Sequence, residues 1–305
     1  MRIVSLLPSA TEIVYLLGLG DQLTGVSHEC DYPPDALRKP KIVKAALESH
    51  RMSSREIDDT VMALQARGEG VYQIDLEVLR AADPDLILTQ ELCDVCATPY
   101  AQVQEAVTKL SRKPEVLSLN PQRLGDVLDD IQRVGDATGR VKEAEAAKRL
   151  LQERIQRVTE RAHLAKARPR VFCLEWLDPL MASGHWIPEM VALAGGVDAL
   201  GEWGAPSRRI EWDRVLAFAP EVLVLMPCGF GIERTLQEMH LLTSRPGWEG
   251  LPAVQKGQVV AVNGHAYYNR SGPRLVDGLE LLAYIIHPEL FPGPVSEGAM
   301  KIVLR

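Results

Sequence analysis

Leu79-Arg80-Ala81-Ala82-Asp83-Pro84-Asp85-Leu86-Ile87-Leu88 returns in the second half of the chain as Val215-Leu216-Ala217-Phe218-Ala219-Pro220-Glu221-Val222-Leu223-Val224. Each copy reads as the end of a helix, a proline that stops it, an acidic residue, and a short apolar run that suits a strand buried on both faces. Each strand leads within a few residues to a cysteine, Cys93 in one copy and Cys228 in the other. Two similar α/β lobes with mostly parallel, Rossmann-like sheets are therefore expected. Because ligands of open parallel sheets bind outside the carboxyl ends of the strands, the expected site is a cleft shared by the two lobes.

The same alternation extends outward from the repeat. Strands are expected at 3–6, 23–26, 86–89 and 116–119, and a helix at 11–17 with Ser9 or Thr11 as its cap and Gly18 and Gly20 beyond its end. Residues 123–165 read as helix with a break at Gly135 and Gly139. The later segment keeps Ala144, Ala147, Leu151, Ile155 and Val158 on one face and would run about 37 Å at about 1.5 Å per residue. The second lobe shows strands at 171–174, 222–226 and 259–262, and helices at 188–194, 233–242 and 273–286. The division expected is a first lobe at 1–140, a connecting helix at 141–168 and a second lobe at 169–305. Residues 40–75 break the alternation. Ser53-Ser54-Arg55-Glu56 resembles a capped helix start, whereas 44–51 has no period, so an irregular insertion or lid is expected there.

The chain has 305 residues, 46% hydrophobic and 25% charged, with a net charge of −7. That is enough apolar material for two packed interiors, and the charge excludes a nucleic-acid backbone as the natural partner. No stretch reaches the about 20 apolar residues of a membrane span. The run after Arg2 is short and meets Pro8, so it reads as a strand rather than a leader. A cytoplasmic location is the expectation, with the five cysteines as thiols or metal ligands.

Several loops carry residues with chemistry. Cys93 and Cys96 form a CxxC pair, and Cys30 follows a strand of the same lobe. With Cys228 they could bind zinc or an iron–sulfur cluster, while small buried cysteines are the plainer reading. His28-Glu29-Cys30-Asp31 places four ligand types behind one strand; a loop histidine bonded to a backbone carbonyl is the alternative. In the second lobe Glu175-Trp176 and Ser183-Gly184-His185-Trp186-Ile187-Pro188-Glu189 flank a turn. Trp186 and Tyr268 offer flat surfaces for a planar macrocycle and His185 a contact to its metal, with Trp212 and Trp248 left to the core. Arg270 and Arg274 bracket Pro273, where they could hold an anionic substituent or form surface ion pairs. No nucleophile elbow or phosphate-cradling glycine loop is present, which argues against hydrolase and nucleotide-dependent chemistry.

The order of these elements is similar to that of the helical-backbone, or class III, substrate-binding proteins of vitamin B12 and iron-siderophore uptake. The residues that carry the resemblance are Ile3-Val4-Ser5-Leu6-Leu7-Pro8-Ser9-Ala10-Thr11-Glu12, Gly25-Val26-Ser27 with Asp31-Tyr32-Pro33, Ala182-Ser183-Gly184, and Tyr267-Tyr268-Asn269-Arg270-Ser271-Gly272-Pro273-Arg274. They resemble the cobalamin-binding branch in type and order. The resemblance implies a cobalamin-like ligand, with Ser9, His28, Glu29, Asp31, Tyr32, Glu175, Trp176, His185, Trp186, Tyr267, Tyr268, Asn269 and Arg270 as the candidate contacts. It also implies an ABC permease as partner, docked through Glu77 and Asp213, each seven residues before the proline of its repeat. Helix-start chemistry alone would also favour a carboxylate there. The competing expectation is a cytoplasmic metalloprotein or redox enzyme using Cys30, Cys93, Cys96 and Cys228.

Overall fold

The computed structural model describes residues 1–67, 69–91 and 98–291, and the backbone of 299–302. The chain folds as two α/β units. The first comprises residues 1–121 and 125–149, the second 122–124 and 150–305.

In the first unit, strands β1 (Ile3–Ser5), β2 (Leu23–Ser27), β3 (Lys41–Ala45), β4 (Tyr72–Ile74), β5 (Leu86–Thr89) and β6 (Glu115–Ser118) lie in the order β4-β3-β2-β1-β5-β6. Only the β3–β4 pair is antiparallel among them. Helices α1 (Pro8–Leu16), α2 (Ser54–Ala66), α3 (Leu76–Ala82), α4 (Tyr100–Thr108) and α5 (Leu124–Thr138) fall between or after the strands, and α6 (Val141–Ala162) follows. The boundary between the units falls inside α6, after Arg149. The turn from α5 into α6 is tight: a Cβ on Gly135 would stand 2.4 Å from the Cβ of Ala144, so only glycine fits.

The second unit contains β7 (Val171–Trp176), β8 (Met181–Ala182), β9 (Arg208–Arg209), β10 (Val222–Leu225), β11 (Val259–Val262) and β12 (Ala299–Ile302), in the order β12-β11-β10-β7-β8-β9. The helices are α7 (Ile187–Leu193), α8 (Trp212–Phe218), α9 (Ile232–Gln237), α10 (His240–Thr243), α11 (Pro252–Gln255), α12 (Gly264–Tyr267) and α13 (Leu275–Ile286). Alternate residues Phe172 and Leu174, Leu223 and Leu225, Val259 and Ala261 line one face of the sheet and share a core with Leu242, Trp248 and Leu251. Each such side chain contributes about 1.5–3 kcal/mol by leaving water.

The sequence repeat becomes the same construction twice. Helices α3 and α8 both end on a left-handed residue, Asp83 at φ 40° and Ala219 at φ 49°, and the following proline prevents continuation. The acidic residue then ties down the start of each unit's first strand. The Asp85 carboxylate accepts the Arg2 amide at 2.7 Å, and the Glu221 carboxylate accepts the Arg170 amide at 3.2 Å. In return the Asp85 and Glu221 amides donate to the Arg2 and Arg170 carbonyls, both at 2.8 Å. This reciprocal bonding sets the register of β5 on β1 and of β10 on β7.

The stretch expected as an irregular insertion at 40–75 instead belongs to the sheet. It supplies β3, α2 and β4, and the capping box is formed: Ser53 Oγ accepts the Glu56 amide at 3.3 Å while the Glu56 carboxylate accepts the Ser53 amide at 2.7 Å. Strand β3 leaves no period to read because only Ile42 and Val43 are buried, between Lys41 and Lys44. The helix expected at 233–242 is divided into α9 and α10. The two-residue strands β8 and β9 are too short to leave a pattern.

Candidate functional site

In the first unit the described candidate residues lie after β1 and β2. Ser9 is buried near the start of α1, where Pro8 occupies the first turn. Thr11 Oγ1 donates to Ser5 Oγ at 2.8 Å and contacts Cys30 Sγ at 3.1 Å, so the Cys30 thiol packs inward against α1 rather than lining a rim. His28 braces its own loop. Its Nδ1 lies 3.1 Å from the Val43 carbonyl, its Nε2 lies 3.1 Å from the Glu29 carboxylate, and its ring sits against Tyr72. This is the backbone-bonded loop histidine. Asp31 and Tyr32 do face solvent, and the Tyr32–Pro33 peptide is cis. Tyr32 is 46% exposed and is the large flat surface of this loop.

In the second unit the ends of β7, β8, β10 and β11 supply the groups. Glu175 closes β7. Its carboxyl accepts the Ser207 hydroxyl and, at 3.4 Å, the Gly184 amide. Burial pushes this carboxyl up to about 7, against the pull of those two hydrogen bonds, and nearby Asp198 raises it further. Asp198 accepts the Ser183 hydroxyl at 2.9 Å and the Leu200 and Gly201 amides at 2.9 and 2.8 Å, and burial raises it as well. Glu175 is thus hydrogen-bonded within the protein. Trp176 is half-buried against Phe230, with ring centroids 5.1 Å apart, and the Arg234 guanidinium lies 4.4 Å from the Phe230 ring centre.

Three further candidates are buried. Trp186 and Tyr268 were expected at the ligand, but they are 5% and 1% exposed. The Trp186 indole donates to the Tyr268 carbonyl at 2.8 Å and the Tyr268 hydroxyl to the Gly278 carbonyl at 3.0 Å, so both rings bolt α7, α12 and α13 together. Arg270 is also buried, its guanidinium meeting His265 Nε2, while Arg274 lies over the Tyr267 ring at 5.8 Å. Asn269 anchors its loop by donating to the Met226 carbonyl at 3.3 Å. Trp248 is in the core, stacked on Trp212 at 6.3 Å.

His185 has φ 50°, a left-handed conformation unusual for a side chain of its size. Burial lowers its pKa, so the imidazole is neutral, and its Nε2 is buried without a hydrogen-bond partner in the structure. Its amide donates to the Ala205 carbonyl at 2.6 Å, and the Gly204 amide returns to its carbonyl at 3.0 Å. Trp203, 48% exposed, therefore sits one residue from this pairing. Trp203 is not among the residues expected at the site from sequence. The sequence signal for it is a tryptophan set among turn residues, Gly201, Gly204 and Pro206.

Among the described residues no group of three or more His, Cys, Asp or Glu side chains is placed to hold a metal ion. Cys173 is buried within β7, Cys228 is exposed, and Cys93 and Cys96 lie outside the described residues. Among the described residues no helix is long and apolar enough to cross a membrane. Glu77 and Asp213 are both exposed in the first turns of α3 and α8.

The model of the family described as periplasmic binding protein matches residues 3–265. The vitamin B12-binding protein of Vibrio cholerae is 28% identical over 284 residues, covering 92% of this chain and 86% of that protein. An uncharacterized ABC transporter substrate-binding lipoprotein, YvrC of Bacillus subtilis, is 26% identical over 297 residues, with 95% and 81% covered. Among solved structures, the periplasmic vitamin B12-binding protein BtuF of Vibrio cholerae superposes with a TM-score of 0.67 at 23% identity, covering 96% of this chain and 98% of that one. The periplasmic heme-binding protein RhuT of Roseiflexus sp. RS-1 gives 0.71 at 21% identity, with 95% and 98% covered. These two likenesses extend through the fold, and with the family match across both units they establish that the chain belongs to the periplasmic binding protein family.

Proposed function

We propose that the protein binds a planar metal chelate of the corrinoid class and hands it to an ABC permease. The observation that carries this reading is the likeness to a vitamin B12-binding protein over 92% of the chain. The exposed flat side chains of Tyr32 and Trp203 support it, because a corrin gives up its apolar faces to such surfaces. His185 adds a neutral imidazole, the form that coordinates a metal, although its Nε2 must turn outward to do so.

Titration of the purified protein with cyanocobalamin, hydroxocobalamin and hemin, followed by absorption and calorimetry, tests the reading. Binding of a cobalamin at micromolar concentration or tighter is expected, and no heat or spectral change with either cobalamin removes it. Tyr32→Ala and Trp203→Ala should each weaken binding by about tenfold, the loss of about 1.4 kcal/mol of stacking contact. Unchanged affinity in both variants would leave the aromatic account without support.

Docking on a permease is assigned to Glu77 and Asp213, which occupy matching places in the two copies of the repeat. Replacing both by alanine should leave ligand affinity intact and reduce permease-dependent uptake at least tenfold. Wild-type uptake by the double variant would remove these residues from the interface. Delivery to a permease and the expected cytoplasmic location exclude each other, and fractionation of native cells decides between them.

A further inference from the structure

Residues 200–207 run as a strap across the Ser183-Gly184 turn, and a carboxyl group ties the two together at each end. At the near end Asp198 accepts the Ser183 hydroxyl at 2.9 Å and the Leu200 and Gly201 amides at 2.9 and 2.8 Å. At the far end Glu175 accepts the Ser207 hydroxyl and, at 3.4 Å, the Gly184 amide. Both crossings are too close for a side chain. A Cβ on Gly201 would lie 2.7 Å from Ser183 Oγ, and one on Gly184 would lie 2.4 Å from the Ala205 carbonyl oxygen and 2.5 Å from the Ser207 nitrogen. Between the ties the backbone is pinned as well: the Glu202 amide donates to the Ser183 carbonyl at 3.3 Å, the His185 amide to the Ala205 carbonyl at 2.6 Å, and the Gly204 amide to the His185 carbonyl at 3.0 Å. Past the far tie the strap continues as β9, paired with β8.

Trp203 stands in the middle of this span, 48% exposed. Residues 201–207 lie in neither helix nor strand and include Gly201 and Gly204, so without the ties this stretch would be free to move. A flat side chain on a free loop loses that freedom at the moment of binding, which weakens the complex; one already held does not. We propose that the two ties, Asp198 with Ser183 and Glu175 with Ser207, are the positioning device for Trp203, setting the indole in its binding place before a ligand arrives and acting on affinity only through it. The role of Trp203 rests on the function proposed above, and the tying of the strap does not.

A double-mutant cycle separates this role from a merely structural one. S207A removes a donor from the far tie and S183A one from the near tie. Each should lower affinity for cyanocobalamin about fivefold when Trp203 is present, and less than about twofold in the W203A background, where the ties have nothing left to place. S207T, which keeps the hydroxyl, should bind as the wild type does. Hydrogen exchange of the Glu202 and Gly204 amides reads the strap without any ligand: protection should fall about tenfold in S207A and S183A, with α13 unchanged as the control for global opening. Equal losses of affinity with and without Trp203, or wild-type strap protection in both single variants, overturn the inference. If the exchange pattern appears while the wild type binds neither cyanocobalamin nor hemin, the ties stand and the proposed ligand class fails.

Discussion

Tyr268→Ala is expected to destabilise the second unit by about 3–5 kcal/mol, the cost of removing a large aromatic side chain from a packed interior. The ring is 1% exposed, its hydroxyl bonds the Gly278 carbonyl in α13, and its own carbonyl receives the Trp186 indole. The cavity cannot close easily, because α12 and α13 are already in close contact: a Cβ on Gly278 would lie 2.4 Å from the Tyr267 carbonyl oxygen. Thermal melting should show a drop on the order of 10 °C at this chain length. Tyr268→Phe separates a core role from a ligand role. It keeps the packing and loses one hydrogen bond, for about 1 kcal/mol, and ligand affinity should not change. A tenfold loss of affinity in a stable Tyr268→Phe protein would return the residue to the ligand site.

The second large effect is a pH dependence that originates in the interior. Glu175 is raised from an ordinary 4.5 to about 7, and Asp130, on α5, from 3.8 to about 6, in both cases because burial disfavours the charged form. Asp130 recovers part of that through Arg133 at 2.7 Å. A carboxyl whose folded value is raised holds more protons folded than unfolded across the interval between the two values. Its contribution is complete below the unfolded value and is lost as pH rises through the folded one. Relative to wild type, E175Q should therefore gain on the order of 3 kcal/mol between pH 4.5 and pH 8. Asp130→Asn should gain on the order of 2–3 kcal/mol between pH 4 and pH 7. Denaturant unfolding at several pH values measures this as a difference from wild type, so the exposed carboxylates cancel and any constant offset reports only the fit of the amide. A difference that does not change with pH would mean that water reaches these carboxyls.

What could be read from the sequence follows how local each signal is. The strands β1, β2, β5, β6, β7, β10 and β11 were visible because an apolar run between turn residues needs no partner to be recognised. Strands β3, β4, β8 and β9 were not, since each is defined by the neighbour it pairs with rather than by its own composition. The site divides in the same way. His28, Glu175 and His185 were picked out by residue type at strand ends, yet residue type does not say that His28 meets Val43 or that Glu175 is taken up by Ser207. Aromatic residues were the hardest to assign. Trp186, Tyr268 and Trp203 are all large and flat in sequence, and only their surroundings make two of them core and one surface.

By itself, then, the chain determined two α/β units, each begun by the same sequence of helix end, proline, acid and strand. Those are choices of backbone conformation and solvent transfer made within about ten residues. The tertiary structure alone decided which polar side chains are spent inside and which remain for a ligand, because hydrogen-bond satisfaction depends on atoms brought from distant parts of the chain, as Glu175 is by Ser207 and Trp186 by Tyr268.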